Sequence, residues 1–263
     1  MKKLFFCLVA GLCCLFASSC KGSDTIVVYT EAGFAPFEYV ANGEIVGVDV
    51  EIMKKVGEKL GKKIQFENVN FDVIVDTVAN GKLANIGAAG ISVTQERLTK
   101  VDFSKVYYQA NLYVIYEVKN ESSLKQQMSD GNYGVYWSSL QSAKGIGVQS
   151  GTTADLFLSD EVKEGGLLEG NKVNFFTSLD TAVSDIGLNS DYVIIDELPA
   201  KKLVEGKANL QCLPLYYQGE EDQLAFDEYA ICVTKGHSDL LNAINEVLDE
   251  LLNEEKNGVN GIQ

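Results

Sequence analysis

One histidine, one tryptophan and three prolines are all that the 263 residues contain of these types. The histidine, His237, stands in the turn-like stretch Thr234-Lys235-Gly236-His237, a surface position. That removes most hydrolase chemistry, which uses imidazole to activate a nucleophile. Ser150-Gly151 is no nucleophile elbow either, because the Gly-x-Ser-x-Gly context is missing. Positive charge is scarce: 22 Lys and Arg stand against 37 Asp and Glu, a formal charge of −15. Nucleic-acid binding needs a basic footprint and is excluded. No His/Cys spacing suits a metal ion, and there is no internal repeat or low-complexity tract. Long apolar runs are confined to the N-terminus, and that run falls short of the ~20 residues a membrane-spanning helix needs. Six cysteines look numerous, but Cys7, Cys13 and Cys14 lie within the run and Cys20 closes it. Cys212 and Cys232 remain, in strand-like stretches over 210–215 and 229–233. They are either buried free thiols or, after export, one disulfide.

The N-terminus has the order of an export signal: Met1-Lys2-Lys3, an apolar and small-residue stretch over 4–16, then Ala17-Ser18-Ser19. Losing residues 1–19 removes two lysines and no acid, so the mature chain carries about −17. Ala17-Ser18-Ser19-Cys20 resembles the bacterial lipobox, with alanine where leucine is usual. The resemblance implies that Cys20 becomes the lipid-bearing N-terminus, and Lys21-Gly22-Ser23-Asp24 reads as a tether.

From Thr25 onward strands and helices alternate, which predicts an α/β fold with mostly parallel sheets. Strands are expected over 26–29, 64–66, 85–91, 113–116, 146–148 and 192–195. Ile52, Val56 and Leu60 recur every four residues, predicting a helix over 50–60 that Gly61 ends. Asp72 is placed to cap a helix through about 79, Thr94 a short turn leading to Arg97, and Thr152 or Thr153 a third helix. Leu240, Leu241, Ile244, Val247, Leu248 and Leu251 give a long amphipathic C-terminal helix. The polar stretch 120–144 reads as a loop insertion, with Trp137 as a packing residue.

Six segments carry a family resemblance, in order: Glu31-Ala32-Gly33-Phe34-Ala35-Pro36-Phe37; Gly47-Val48-Asp49-Val50-Glu51-Ile52; Ala89-Gly90-Ile91-Ser92-Val93-Thr94-Gln95-Glu96-Arg97; Val101-Asp102-Phe103-Ser104-Lys105-Val106-Tyr107-Tyr108; Gln149-Ser150-Gly151-Thr152-Thr153; and Asp191-Tyr192-Val193-Ile194-Ile195-Asp196. Together they resemble the polar amino-acid family of bacterial extracellular solute-binding proteins, family 3, from Thr25 to about Leu252. Val48 is smaller than usual, Asn85 replaces the usual Asp, and the C-terminus comes early. The resemblance implies the type II two-lobed binding-protein fold. Lobe one is then 25–106 plus 230–263, lobe two is 110–223 with the insertion, and two crossover strands near 107–111 and 224–229 form the hinge.

The residues support a zwitterion site. Arg97 offers planar paired donors for a carboxylate. Thr152 and Thr153 open a helix whose free N–H groups favour an anion. Asp196 ends an apolar strand at the edge where α/β ligands bind and can receive an ammonium. Taken alone, Arg97 could be a surface ion pair, Asp196 a helix cap, and Phe34 and Phe71 core aromatics. The resemblance implies that Gly90, Ser92, Arg97, Gly151, Thr152, Thr153 and Asp196 grip the main-chain end of a free amino acid. It places Phe34 and Phe71 as walls, with Glu31 and Gln149 reading the side chain. An acid between aromatic faces favours a polar or basic ligand over an acidic one. The function implied is capture for an ABC permease by a membrane-anchored or periplasmic monomer, with no cofactor, metal or enzymatic step. The alternatives are a same-fold dehydratase-like enzyme and a ligand sensor for a membrane receptor.

Overall fold

The computed structural model describes residues 24–253, 255–256 and 259–260. The expected signal 1–19, Cys20 and all of the tether but Asp24 lie outside the described residues, as does most of 254–263. Strand β1, Thr25–Thr30, buries Ile26, Val28 and Thr30 in alternation. A small three-stranded sheet follows, made of Gly33–Phe34, Glu38–Ala41 and Glu44–Val46.

Helix α1, Val48–Leu60, starts two residues earlier than the apolar periodicity predicts. Gly47 sets that start. Its φ is +134°, and a Cβ there would lie 2.2 Å from the Phe37 carbonyl oxygen. The Val48 and Asp49 amides donate to the Pro36 and Phe37 carbonyls at 3.2 and 3.0 Å. The preceding chain, and no side chain, therefore satisfies the helix start. Ile52, Met53 and Val56 form its fully buried stripe, each contributing about 1.5–3 kcal/mol on burial. Gly61, at φ +63°, ends the helix in the left-handed conformation.

Strand β2, Lys63–Asn68, pairs parallel with β1. The expected cap at Asp72 does not form. Phe71–Val73 makes a 3₁₀ turn, Asp72 lies exposed inside it, and helix α2 runs Ile74–Asn80. The expected strand over 85–91 contracts to β3, Ile86–Gly87. Beyond it the backbone leaves the sheet, with Gly90 at φ +54°. Helix α3, Gln95–Lys100, is capped as expected: the Thr94 hydroxyl accepts from the Arg97 amide at 3.2 Å. Strand β4, Val101–Phe103, precedes the long β5, Tyr108–Glu117.

The chain then builds β6 (Tyr133–Tyr136), β7 (Ile146–Gln149), α4 (Thr153–Glu161), β8 (Val173–Phe176) and α5 (Leu179–Ser184). After these come β9 (Tyr192–Asp196), α6 (Glu197–Val204), β10 (Leu210–Tyr217) and β11 (Phe226–Tyr229). It closes with β12 (Cys232–Thr234) and α7 (Ser238–Asn253). The first sheet has the order β2-β1-β3-β12-β4, and the second β8-β7-β9-β5-β10-β6. This is a two-lobed α/β fold. β5 carries the chain to the second sheet and β11 brings it back. The two pair antiparallel from Tyr108–Tyr229 to Asn111–Phe226.

Ile52, Val56, Ile244 and Leu248 pack with Ile26, Val28 and Ile86 in one core cluster, while Ile74, Val78, Ile91 and Cys232 form another. The stretch 120–144 is not a loop. β6 lies parallel to β10, with Val135 opposite Leu215. Leu124, Val135, Trp137 and Leu140 are fully buried and Met128 nearly so, enough apolar surface to fix a segment that is otherwise largely polar. Trp137 stacks on Tyr217 at 5.8 Å between ring centroids, the packing role expected of it. Cys232 is buried, Cys212 is half-buried and both are free thiols, in different sheets. His237 is exposed.

Candidate functional site

Four strands end toward one region, and their C-terminal ends deliver its side chains. Glu31 follows β1, Gly90 and Ser92 follow β3, Gln149 ends β7 just before Gly151–Thr153, and Asp196 ends β9. Ligands of open α/β sheets bind at such carboxyl ends.

Arg97, the chain's only arginine, is buried there. Its Nη1 donates to the Ser92 carbonyl at 2.7 Å and its Nη2 to the Gly151 carbonyl at 2.8 Å, so one guanidinium touches both lobes. Phe71 lies under it, 5.6 Å from the guanidinium carbon to the ring centroid. The surface ion-pair alternative for Arg97 is therefore set aside. Burial lowers its pKa, while the charge of Asp227 acts in the opposite direction.

Thr152 is the N-cap of α4: its hydroxyl accepts from the Asp155 amide at 3.2 Å. Thr153 is the first helical residue, and its hydroxyl lies 3.1 Å from the Ser92 hydroxyl across the cleft. Gly151 has φ +77°, and a Cβ there would stand 3.0 Å from the Asp72 Cα, so the lobes meet closely at this point.

Asp196 occupies the N-cap position of α6 but makes no capping hydrogen bond. Its Oδ1 is buried without a partner, as is the Tyr229 hydroxyl. Burial first, and then the charge of Asp227, pushes the Asp196 carboxyl well above the usual range. The Tyr229 hydroxyl lies close enough to lower the Asp196 pKa in part but makes no well-formed hydrogen bond with it, so an incoming ammonium would supply the partner that favours the charged form.

Glu31 is half-buried. Burial raises its pKa, against the lowering effect of Gln149 and the Gly33 backbone. Gln149 is buried and donates to the Thr177 carbonyl at 3.1 Å. Phe34 belongs to the core: it packs against Phe37 and Tyr229, at 5.8 and 6.1 Å between centroids, and against Gly90, where a Cβ would come within 2.7 Å of its ring. Ser92, Arg97, Gly151 and Thr153 are thus brought into mutual contact. Glu31 and Gln149 form a second group, Phe71 lies against Arg97, and Phe34 lies behind Gly90.

Three residues that sequence reasoning passed over complete the region. Asp49, fully buried in α1, accepts from the Gly90 amide at 2.9 Å and from the Tyr107 hydroxyl at 2.6 Å. It pins the Gly90 turn in place. Asp227 on β11 accepts a short hydrogen bond from the Thr153 hydroxyl, and Tyr229 stands two residues further along the same face. The signal was present in Phe226-Asp227-Glu228-Tyr229. If Tyr229 faces inward, the period of two puts Asp227 beside it.

The arginine-binding extracellular protein ArtP of Bacillus subtilis (strain 168) is 33% identical over 154 residues, 55% of this chain and 60% of that protein. The chain thus matches less than two thirds of that relative's length. The probable histidine-binding protein of Campylobacter jejuni subsp. jejuni serotype O:2 is 26% identical over 268 residues, 95% of this chain and 93% of the relative. A solved ancestral arginine-binding protein bound to arginine is similar with TM-score 0.72 and 29% identity, covering 87% of this chain and 92% of that one. A family model, bacterial extracellular solute-binding proteins, family 3, matches residues 26–257. With the two-lobed topology in place and the match running through both lobes, the chain belongs to the bacterial extracellular solute-binding proteins, family 3.

Proposed function

We propose that this protein captures a free amino acid, polar or basic in preference to acidic, outside the cell membrane and delivers it to an ABC-type permease. The observation that carries the reading is Asp196: a carboxylate buried at a strand end, unpartnered at Oδ1 and unused as a helix cap. It receives the α-ammonium. Arg97 binds the α-carboxylate, with the backbone N–H groups of Ser92 and Thr153. Gly90, Gly151 and Thr152 shape the turns on which those donors sit. Glu31 and Gln149 face the ligand side chain, and Phe34 and Phe71 back the site. Family relatives that bind arginine and histidine by name support this class of ligand.

Residues 25–106 with 230–263 form one lobe and 110–223 the other. They close on the ligand by bending at β5 and β11, because polar contacts come from both lobes. The protein works as a monomer, without cofactor or catalytic step, and lipid on Cys20 holds it at the membrane.

A thermal-shift screen of the common amino acids plus ornithine and cystine tests the reading. A ligand at ~100 times its Kd adds about 2.7 kcal/mol, which raises Tm by roughly 5–10 °C for a chain of this size. Polar or basic amino acids are expected to give such a shift, and glutamate and aspartate are not. No shift with any amino acid contradicts the function. A larger shift with glutamate than with every neutral or basic amino acid contradicts the preference.

A further inference from the structure

Glu38 opens the second strand of the small sheet, Glu38–Ala41, and is fully buried. Acids are almost never fully buried unless they are paired. Among the described residues no donor reaches either of its carboxyl oxygens. The titratable groups around it are Asp49 on α1, Glu31 after β1 and Tyr107 before β5, and none of them is a cation. Glu38 has no part in the clamp described above.

The backbone sets Glu38 and Asp49 side by side. The Asp49 amide donates at 3.0 Å to the Phe37 carbonyl, on the peptide unit that also carries the Glu38 nitrogen. The two acids differ in what they receive. Asp49 Oδ2 accepts from the Gly90 amide at 2.9 Å and its Oδ1 from the Tyr107 hydroxyl at 2.6 Å, so both of its oxygens suit the ionised form. Glu38, with no donor, suits the protonated one: adjacent carboxylates repel, and a buried charge without a donor is costly. Burial first, and then the charge of Asp49, pushes the Glu38 carboxyl up, in keeping with that division. A protonated carboxyl has one O–H to donate, and Asp49 is the acceptor beside it.

What Asp49 holds bears on the ligand site. Gly90 stands two residues before Ser92, whose carbonyl accepts from Arg97 Nη1 at 2.7 Å and whose hydroxyl lies 3.1 Å from that of Thr153. The Tyr107 amide donates to the Tyr229 carbonyl at 3.0 Å, so the same carboxylate is tied to the crossing strands.

We propose that Glu38 is a positioning residue for ligand binding: as a neutral carboxylic acid it donates its O–H to the Asp49 carboxylate, and through Asp49 it fixes the Gly90–Ser92 turn and Tyr107 in the geometry the clamp needs. The role rests on the amino-acid reading above and adds to it a residue that touches no ligand. Without this third donor Asp49 is a buried charge held by two hydrogen bonds. It then takes up a proton more readily and accepts less strongly from the Gly90 amide. The loss falls on the turn that faces the main-chain end of the ligand, so every amino acid that the site binds shares it.

Two variants test the inference. Glu38→Gln keeps a neutral donor of nearly the same shape, and Glu38→Leu removes it. The infrared difference between wild type and Glu38→Gln at neutral pH is expected to show the carbonyl stretch of a protonated carboxyl, which lies clear of the carboxylate bands. Calorimetric titration uses the two amino acids that stabilise the wild type most. Glu38→Gln is expected to bind both within about threefold of wild type. Glu38→Leu, shown to be folded by a thermal melt, is expected to bind both about tenfold or more weakly and in the wild-type ratio. Absence of the infrared band overturns the inference, and so does a Glu38→Gln variant weakened tenfold or more. Both results are read whether or not Glu38→Leu folds. A folded Glu38→Leu variant that keeps wild-type affinity, or loses it for only one of the two ligands, also overturns the inference. In all of these outcomes amino-acid capture itself stands. A wild type that binds no amino acid removes the underlying reading, and the positioning role with it.

Discussion

At position 49 a fully buried carboxylate holds two neighbours, the Gly90 amide and the Tyr107 hydroxyl, at 2.9 and 2.6 Å. Burial dominates its energetics and pushes its pKa from 3.8 up to about 6, despite those two hydrogen bonds. Glu38 lies beside it, and burial, together with the charge of Asp49, drives the Glu38 carboxyl well above its usual range. The consequence is a pH dependence of stability with a definite sign. Between about pH 4 and 6 the folded protein keeps a proton on Asp49 that the unfolded chain has lost, so stability falls as pH rises through that window. From pH 5 to 7.5 this group removes on the order of 1.4 kcal/mol, a drop in Tm of roughly 3–5 °C. Thermal melts of wild type and Asp49→Asn across that range are expected to show the decline in the first and a shallower one in the second. Equal slopes would contradict this account of Asp49. The motif Gly47-Val48-Asp49 thus has a physical meaning apart from ligand contact: Gly47 admits the Phe37 carbonyl, and Asp49 fixes the turn that presents Ser92.

At the level of elements, the sequence was informative wherever periodicity and backbone chemistry agreed. Helix α1, the amphipathic α7 and the buried strand β9 follow from their apolar spacing, and Thr94 caps α3 because threonine before a helical turn has one strongly favoured use. It was uninformative where a capping residue competed with tertiary structure. Asp72 has the right chemistry for a cap, yet the chain reaches α2 through a 3₁₀ turn and leaves Asp72 exposed. Asp196 has the same chemistry and stands at the cap position, but its side chain makes no capping bond there. The stretch 120–144 was opaque for a different reason. Its inward residues are few and widely spaced, and β6 is defined by its pairing with β10, about 80 residues away in sequence, which no local window contains. The binding motifs were legible through their residue types and order. Asp227 was legible only in part: the period of two sets it on the face of Tyr229, but its hydrogen bond from Thr153 joins residues 74 apart in sequence, which no local window contains.

For the whole molecule, the relevant features are the two sheets, the pair of strands that crosses between them, and a single arginine that bonds to both sides. The proposed capture outside the cell would be kept near a permease by lipid on the lipobox-like Ala17-Ser18-Ser19-Cys20. Cys20→Ala is expected to release the protein from the membrane or to leave the precursor uncut. A variant that fractionates with membranes at its mature mass would exclude the anchor. The clamp itself is the central claim: one ligand held between Arg97 and Asp196, with its carboxylate at the first and its ammonium at the second. Breaking a desolvated charge pair by removing one partner costs on the order of 3–5 kcal/mol, at least ~100-fold in affinity. The direct test is calorimetric titration of wild type, Arg97→Ala and Asp196→Ala with the amino acid that stabilises the wild type most. The account predicts a loss of ~100-fold or more in each variant, and a loss below about tenfold in both would contradict it.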